Sequence, residues 1–472
     1  MDNKLGFGAL TAFVIGSMIG AGVFSLPQNM AAVASPAAVM IGWTITGVGM
    51  IFLAMSFQVL SLLKPNINSG VFGYAQAGFG DFVGFCSAWG YWLSAMLANV
   101  SYLVIVFSTL GMFFDKPGHI IFGMGNTWQS IVGASILLWL VYASVRRGVQ
   151  TAATINAITT VAKLIPLVLF IFVTLIAFKW HTFTFDFTGL EFGPQHDLLS
   201  QVKGTMLITV WVFIGVEGAV IVSSRARNRR DIGRATILGL LTALVIYVFV
   251  TLLSMGVIST PELAKFQNPS MALVLEHILG PWGSIIIGCG LLVSVSGAFL
   301  SWTVLATEAP LLAAQNNMFP KSYAKENSAG TSIKALNLTI ICIQISLFAV
   351  IYAGGTYNSL LIIASEMILV PYFLVAAYTL KLAIKTKNRG MLLFIGSGAT
   401  IYGIWLLYAS GLSHLLLASL LYLPGLYFFI KAKKELNQPY FVGKERIFVV
   451  LLILLSIFAI YMVATGHIVL ES

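Results

Sequence analysis

The chain has 472 residues, of which 58% are hydrophobic and only 9% charged. Soluble domains carry about 25% charged residues, so a water-soluble globular fold is excluded and a polytopic helical membrane protein is expected. The formal charge of +10 does not point to nucleic acid, because the basic residues fall mostly on alternate loops between apolar runs, as the positive-inside rule requires.

Apolar runs of about 20 residues follow one another with no room for a soluble domain between them. The first covers about 8–34 and reads as a retained helix, being longer and more Gly-broken than a cleavable signal. It contains Gly16-Ser17-Met18-Ile19-Gly20-Ala21-Gly22. Each glycine costs a helix roughly 1 kcal/mol against Ala, and loosened backbone is tolerated in lipid only where protein or a water-filled cavity covers it. Two readings follow. The break exposes N–H groups at Met18, Ile19, Gly20, Ala21 and Gly22 to a ligand carboxylate, or the small residues form a helix-packing face.

The second span is about 37–63 and ends before Lys64-Pro65. A Gly- and Asn-rich segment at 66–79 reads as a short interfacial piece. The third span, about 80–113, carries Trp89, Tyr91, Trp92, Asn99 and Tyr102. The fourth, about 127–145, closes on Arg146-Arg147, and the fifth, about 150–178, holds Lys163. A polar loop at 179–199 contains Asp186, Glu191, His196 and Asp197. The sixth span, about 200–223, holds Trp211, Glu217 and three glycines: Gly204, Gly215 and Gly218. Arg225, Arg227, Arg229, Arg230 and Arg234 follow. The seventh span is about 235–258. The eighth, about 281–314, carries Trp302 and Glu308, and the ninth is about 335–353. The tenth, about 357–380, holds Ser365, Glu366 and Pro371 and reads as interrupted. Spans at about 391–409 and 412–430 follow, and a last run at 446–466 is long enough for a thirteenth.

With the N-terminus cytoplasmic, most of the 26 basic residues fall on one side of the membrane, which supports both the spans and the orientation. The first and sixth spans are both Gly-broken, and that is the trace of a 5+5 inverted repeat. The expected division is therefore 1–178 for the first repeat, 179–199 for an extracellular loop, 200–389 for the second repeat and 390–472 for additional C-terminal spans.

Lys163, Glu217, Glu308 and Glu366 lie inside spans. A charge at the bilayer centre costs about 2.5–3.5 kcal/mol on insertion scales, so such residues face a cavity or one another. They are candidates for substrate recognition or gating, or for structural Lys–Glu pairs. Three acids against one base would attract a cationic substrate. Trp211 and Trp302 are mid-span rather than interfacial; they stack on a ligand cation or pack the core. Asn99 is a buried amide for a substrate contact or a helix–helix hydrogen bond. Cys86, Cys289 and Cys342 sit in apolar runs without ligand spacing and read as small buried hydrophobes. Phosphate-cradling loops, His–Glu metal spacing and nucleophile–base pairs do not occur, so no enzyme, cofactor or metal site is expected.

Gly16 to Gly22 with Val23, Phe24 and Pro27 resembles the first-helix signature of the amino acid/polyamine/organocation (APC) transporters. Trp211-Val212-Phe213-Ile214-Gly215-Val216-Glu217 and Ser301-Trp302-Thr303 resemble the basic amino acid/polyamine antiporter branch. Phe24 to Met30 and Ile363-Ala364-Ser365-Glu366-Met367-Ile368 are similar to its arginine/ornithine group. The resemblance implies a LeuT-like fold, all α, with alternating access. It implies that the backbone from Met18 to Gly22 binds a substrate carboxylate and that backbone near Trp211 and Ile214 binds its α-amino group. Trp211 would cover the substrate, with Trp302 and Asn99 lining the site. Ser365 and Glu366 are further substrate candidates. Glu217 would gate, Glu308 would be gating or proton-linked, and Lys163 would stand where sodium sits in sodium-dependent members. Ala21 departs from the arginine/agmatine pattern, in which a Ser hydroxyl helps to hold the carboxylate. The implied function is sodium-independent exchange of a basic amino acid for its catabolic product in a bacterial plasma membrane, in a branch where homodimers are frequent. Arginine for ornithine is the first choice. Histidine for histamine, lysine for cadaverine and proton-coupled uptake are the alternatives.

Overall fold

A computed structural model describes the backbone of residues 6–465 and 467, apart from 68, 148, 191–196, 222–225, 354–355 and 387–389, and the side chains of these apart from 149–158. Glu191, His196 and Arg225 therefore lie outside the described residues.

The architecture is all-α. The first half consists of α1 (Phe7–Met18), α2 (Gly22–Ala31), α3 (Pro36–Leu63), α4 (Gly70–Phe79), α5 (Asp81–Phe114), α6 (Trp128–Arg146), α7 (Val149–Ala177) and the short α8 (Trp180–Thr184). Then come α9 (Leu198–Phe213), α10 (Gly218–Ile221), α11 (Arg229–Val257), α12 (Thr260–Leu263), α13 (Ser270–Leu279) and α14 (Pro281–Gln315). After a 3-10 turn, α15 (Ile333–Ala353), α16 (Tyr357–Lys385), α17 (Gly390–Ser410), α18 (Leu412–Glu435) and α19 (Glu445–Ala464) complete the chain. By length and composition 11 of these helices can cross a membrane, or 12 if the bent pair α1–α2 is one span.

The two breaks occur where glycines prepared them. α1 and α2 meet at 43°, and α9 gives way to α10 through Ile214 to Glu217. The breaks face each other at the centre of the bundle, where the Ser17 hydroxyl donates to Gly215 O at 2.9 Å. Gly215 has φ +111°, and a Cβ there would sit 2.8 Å from the Ser17 carbonyl carbon; both facts require glycine. α5, α7, α14 and α16 pack around this centre, giving a LeuT-like membrane fold.

Three expectations are corrected. The tenth span is not interrupted: α16 runs unbroken through Glu366 and Pro371. A proline removes one backbone donor, and the packed neighbours of a membrane helix tolerate that loss. Segment 66–79 contains a helix, α4, with Gly70 to Ala75 buried and Tyr74 stacked on Tyr378 at 6.4 Å. α11 begins at Arg229, earlier than hydropathy suggests, because the Asn228 side chain accepts from Arg230 N at 3.0 Å and caps the helix. α13 was not expected at all; at 10 residues it is too short to register as a span.

The last span is fastened to the third. Glu445 accepts from Phe82 N (2.9 Å) through one carboxylate oxygen and from Val442 N (2.9 Å) through the other. Lys433 Nζ lies 2.5 Å from Asp81 Oδ2 and also donates to Gln438. Phe82 packs edge-on against Phe429 and Phe441.

Candidate functional site

At the α1–α2 break the chain turns its carbonyls toward α7. Lys163, fully buried, donates to Gly16 O at 2.7 Å and to Ile19 O. Ser294 of α14 reaches the same turn through Ile19 O (3.4 Å) and Gly20 O (3.3 Å). An ammonium has three donors and no acceptor, so carbonyls at the end of a broken helix are its natural partners. A cation covalently tethered to α7 thus holds the first break closed.

Beyond the break lies a small cavity of about 10 Å³, room for roughly one water, lined by Met18, Gly22, Ala98, Tyr102, Trp211, Val212, Ile214 and Trp302. Its lining carries no acidic or basic side chain among the described residues. Trp302 donates its indole N–H to Ser17 O at 3.1 Å, which fixes the ring against the break. Trp211 donates to the Tyr357 hydroxyl at 3.1 Å, and the Tyr102 ring lies 6.2 Å from the Trp211 ring. Close packing forces the glycines here: a Cβ on Gly20 would stand 2.6 Å from the Tyr102 hydroxyl oxygen, and one on Gly22 would stand 2.9 Å from the Trp211 ring. Pockets that hold a small-molecule ligand usually measure roughly 300–1,000 Å³, far more than this one. Trp211 and its neighbours must therefore move for an amino acid to enter.

The other proposed residues fall in three places. Asn99 is fully buried beside the lining residue Ala98, and neither end of its amide has a hydrogen-bond partner; buried amides are normally satisfied. Glu217, also fully buried, is the last residue of the second break. Its Oε2 accepts from Tyr372 Oη (2.6 Å) and from Gly215 N (3.2 Å), while Oε1 and the neighbouring Tyr91 hydroxyl complete no bond. Glu366 and Ser365 are directed elsewhere. Glu366 Oε1 is 2.6 Å from His414 Nδ1 on α18, and Ser365 donates to Leu361 O in its own helix. Glu308 is partly exposed and does not line the cavity. None of the three acids lines the cavity, and a cation inside would meet aromatic faces.

Sequence reasoning missed Tyr357, Tyr372, Ser294 and His414. They carry no local signal, because each matters through a partner on a distant helix. Tyr102, which the sequence places on the third span, is in the lining.

The family model described as amino acid permease matches residues 5–459. The chain is 55% identical over 456 residues to an Escherichia coli (strain K12) protein provisionally named an arginine/ornithine antiporter, covering 97% of this chain and 98% of the relative. It is 50% identical to the arginine/ornithine antiporter of Pseudomonas aeruginosa, with 99% of each covered. It is 40% identical to the arginine/agmatine antiporter of Chlamydia felis, with 99% of this chain and 98% of the relative covered.

Proposed function

Because the chain belongs to the amino acid permease family, we propose that it is a sodium-independent antiporter that imports arginine and exports ornithine by alternating access. The N-terminus and the basic loops lie in the cytoplasm of a bacterium, as the charge asymmetry supports, and the membrane is the plasma membrane.

One observation carries the sodium-independent reading: Lys163 Nζ sits on the Gly16 and Ile19 carbonyls. A tethered ammonium supplies there the positive charge that a bound metal cation would otherwise bring. The exchange pair rests on the names of the relatives.

The residues act as follows. The leading N–H groups of α2, at Gly22 and Val23, have no partner inside their own helix and take the substrate carboxylate at the positive end of its dipole. Carbonyls at the end of α9, near Trp211 and Ile214, take the α-amino group. Trp302 and Tyr102 present aromatic faces to the cationic side chain, and Asn99 supplies the hydrogen bonds its unpartnered amide holds ready. Trp211 covers the substrate on one side. Glu217 with Tyr372 closes the cytoplasmic side.

The test is uptake of labelled arginine into liposomes loaded with ornithine, agmatine, histamine, cadaverine or nothing. Uptake restricted to ornithine-loaded vesicles is expected, with no requirement for sodium. Equal uptake into empty vesicles under a proton gradient would replace exchange by symport, and better drive by an amine would replace the pair.

A further inference from the structure

Six residues along α2 from Gly22, about 9 Å at 1.5 Å per residue, four side-chain amides converge. The Asn268 amide nitrogen lies 3.0 Å from Gln28 Oε1, 2.9 Å from Asn29 Oδ1 and 3.0 Å from Asn358 Oδ1. Two N–H groups thus serve three acceptors. The backbone of the same segment is tied as well. Ser108 of α5 donates to Asn268 O (3.0 Å), Gln28 Nε2 donates to Ala264 O (3.2 Å), and Gln28 N donates to the Ser270 hydroxyl (3.1 Å). The cluster joins α2, α5, α16 and the segment between α12 and α13, and its side-chain groups are amides and hydroxyls.

Asn358 is the second residue of α16; the first is Tyr357, whose hydroxyl accepts the Trp211 indole N–H. One helix terminus therefore holds both the cover of the cavity and the amide cluster above it. That terminus is rigid. Thr356 and Ser359 form a reciprocal capping box, Ser359 N donating to Thr356 Oγ1 (3.3 Å) and Thr356 N to Ser359 Oγ (2.9 Å), so the first turn of α16 moves as a unit.

We infer that Tyr357, Asn358 and Asn268 are the positioning residues of a two-layer outer gate: Tyr357 holds Trp211 over the cavity, Asn358 and Asn268 clasp α2, and the first turn of α16 makes both layers release together. This rests on the alternating-access reading above. A substrate passing between the cavity and the outer face requires Trp211 to turn aside and α2 to part from the segment at 264–270. Either movement alone strains the same helix end. Coupled release keeps the space between the layers from opening to only one side.

Ser25 lies between the two layers, is fully buried, and provides the reporter. In full-length protein with Cys86, Cys289 and Cys342 replaced by serine, Ser25→Cys and, separately, Ala98→Cys are labelled with a charged, membrane-impermeant thiosulfonate in right-side-out and inverted vesicles. Adding Tyr357→Phe, which removes one hydroxyl and no packing volume, is expected to raise labelling of both reporters from the outer face by about three- to tenfold, the population shift that loss of one buried hydrogen bond produces. Asn268→Ala is expected to do the same. Labelling at Ser25→Cys that Tyr357→Phe leaves unchanged would overturn the coupling. A rise of equal size from both faces would mean general loosening and would overturn the gate. Arginine/ornithine exchange by the unsubstituted protein is measured alongside; its absence would sink the transport reading independently of the labelling result.

Discussion

Lys163 sets the problem at the scale of single residues. Among the described residues it is the ionisable side chain bonded to the first break, and it is spent on two backbone carbonyls rather than on an acid. Lys163→Met keeps most of the side-chain volume and leaves those carbonyls without their donor. Each orphaned buried group costs about 1–3 kcal/mol. Exchange is expected to fall at least about tenfold in the liposome assay while the purified protein still elutes as a single species. Glu366 behaves differently. Its charge made it visible in the sequence, but its partner His414 stands on another span, and pairing across spans leaves no local pattern. Glu366→Gln is expected to lower the melting temperature by a few degrees, about 1 kcal/mol for a pair whose histidine is half exposed, and to leave selectivity among cationic substrates unchanged. A selective loss of cationic substrates would return Glu366 to the binding site.

At the scale of elements, glycine is the feature that the sequence displays most openly. Both broken helices were legible because in each case glycine interrupts an apolar run that would otherwise propagate. Gly215→Ala joins a positive φ to a Cβ within 2.8 Å of Ser17 backbone. Backbone cannot rotate away as a side chain can, so a loss of about 1–3 kcal/mol and a lower melting temperature are expected. α16 shows the converse. Pro371 suggested a break, but packing decides whether a proline breaks a membrane helix, and that depends on neighbours far away in the chain. α4 and α13 were illegible for a simpler reason: at 10 residues each they are shorter than a span and are held by tertiary contact. The loop after α5 is organised by Asp115, whose carboxylate accepts from Ile121, Phe122 and Gly123 backbone N–H groups at 2.7–2.9 Å. Burial pushes its pKa up, but those three bonds outweigh the effect and hold the carboxyl below the usual carboxylate range. A depressed carboxylate contributes stability above its unfolded-state pKa and loses it as pH falls through the folded-state value. Protection of the residue 121–123 amides from hydrogen exchange, relative to the intrinsic rate at each pH, is therefore expected to hold at neutral pH and to fall below about pH 4. Asp115→Asn should lower that protection at neutral pH.

At the scale of the whole molecule, hydropathy was sufficient for the fold class, because the bilayer imposes it on any chain that crosses it, but it gave thirteen spans where 11 described helices, or 12 with the bent pair, are long and apolar enough to cross. Nor could it show how the last span is attached. α19 is mostly lipid-facing, yet its first residue, Glu445, caps the start of α5. Ending the chain before Glu445 is expected to lower the melting temperature by several degrees, since the acceptor for Phe82 N and the one for Val442 N are lost together. Glu445→Gln, which retains an acceptor, should cost less.

The same attachment imposes an order of events during synthesis. A ribosome makes α5 long before it makes residues 433 and 445, so the third span enters the membrane with Phe82 N uncapped and its first residue, Asp81, still without Lys433. Those groups wait in the interface until nearly the whole chain has been translated. Synthesis of residue 445, rather than insertion of any earlier helix, is then the moment at which the start of α5 gains its cap.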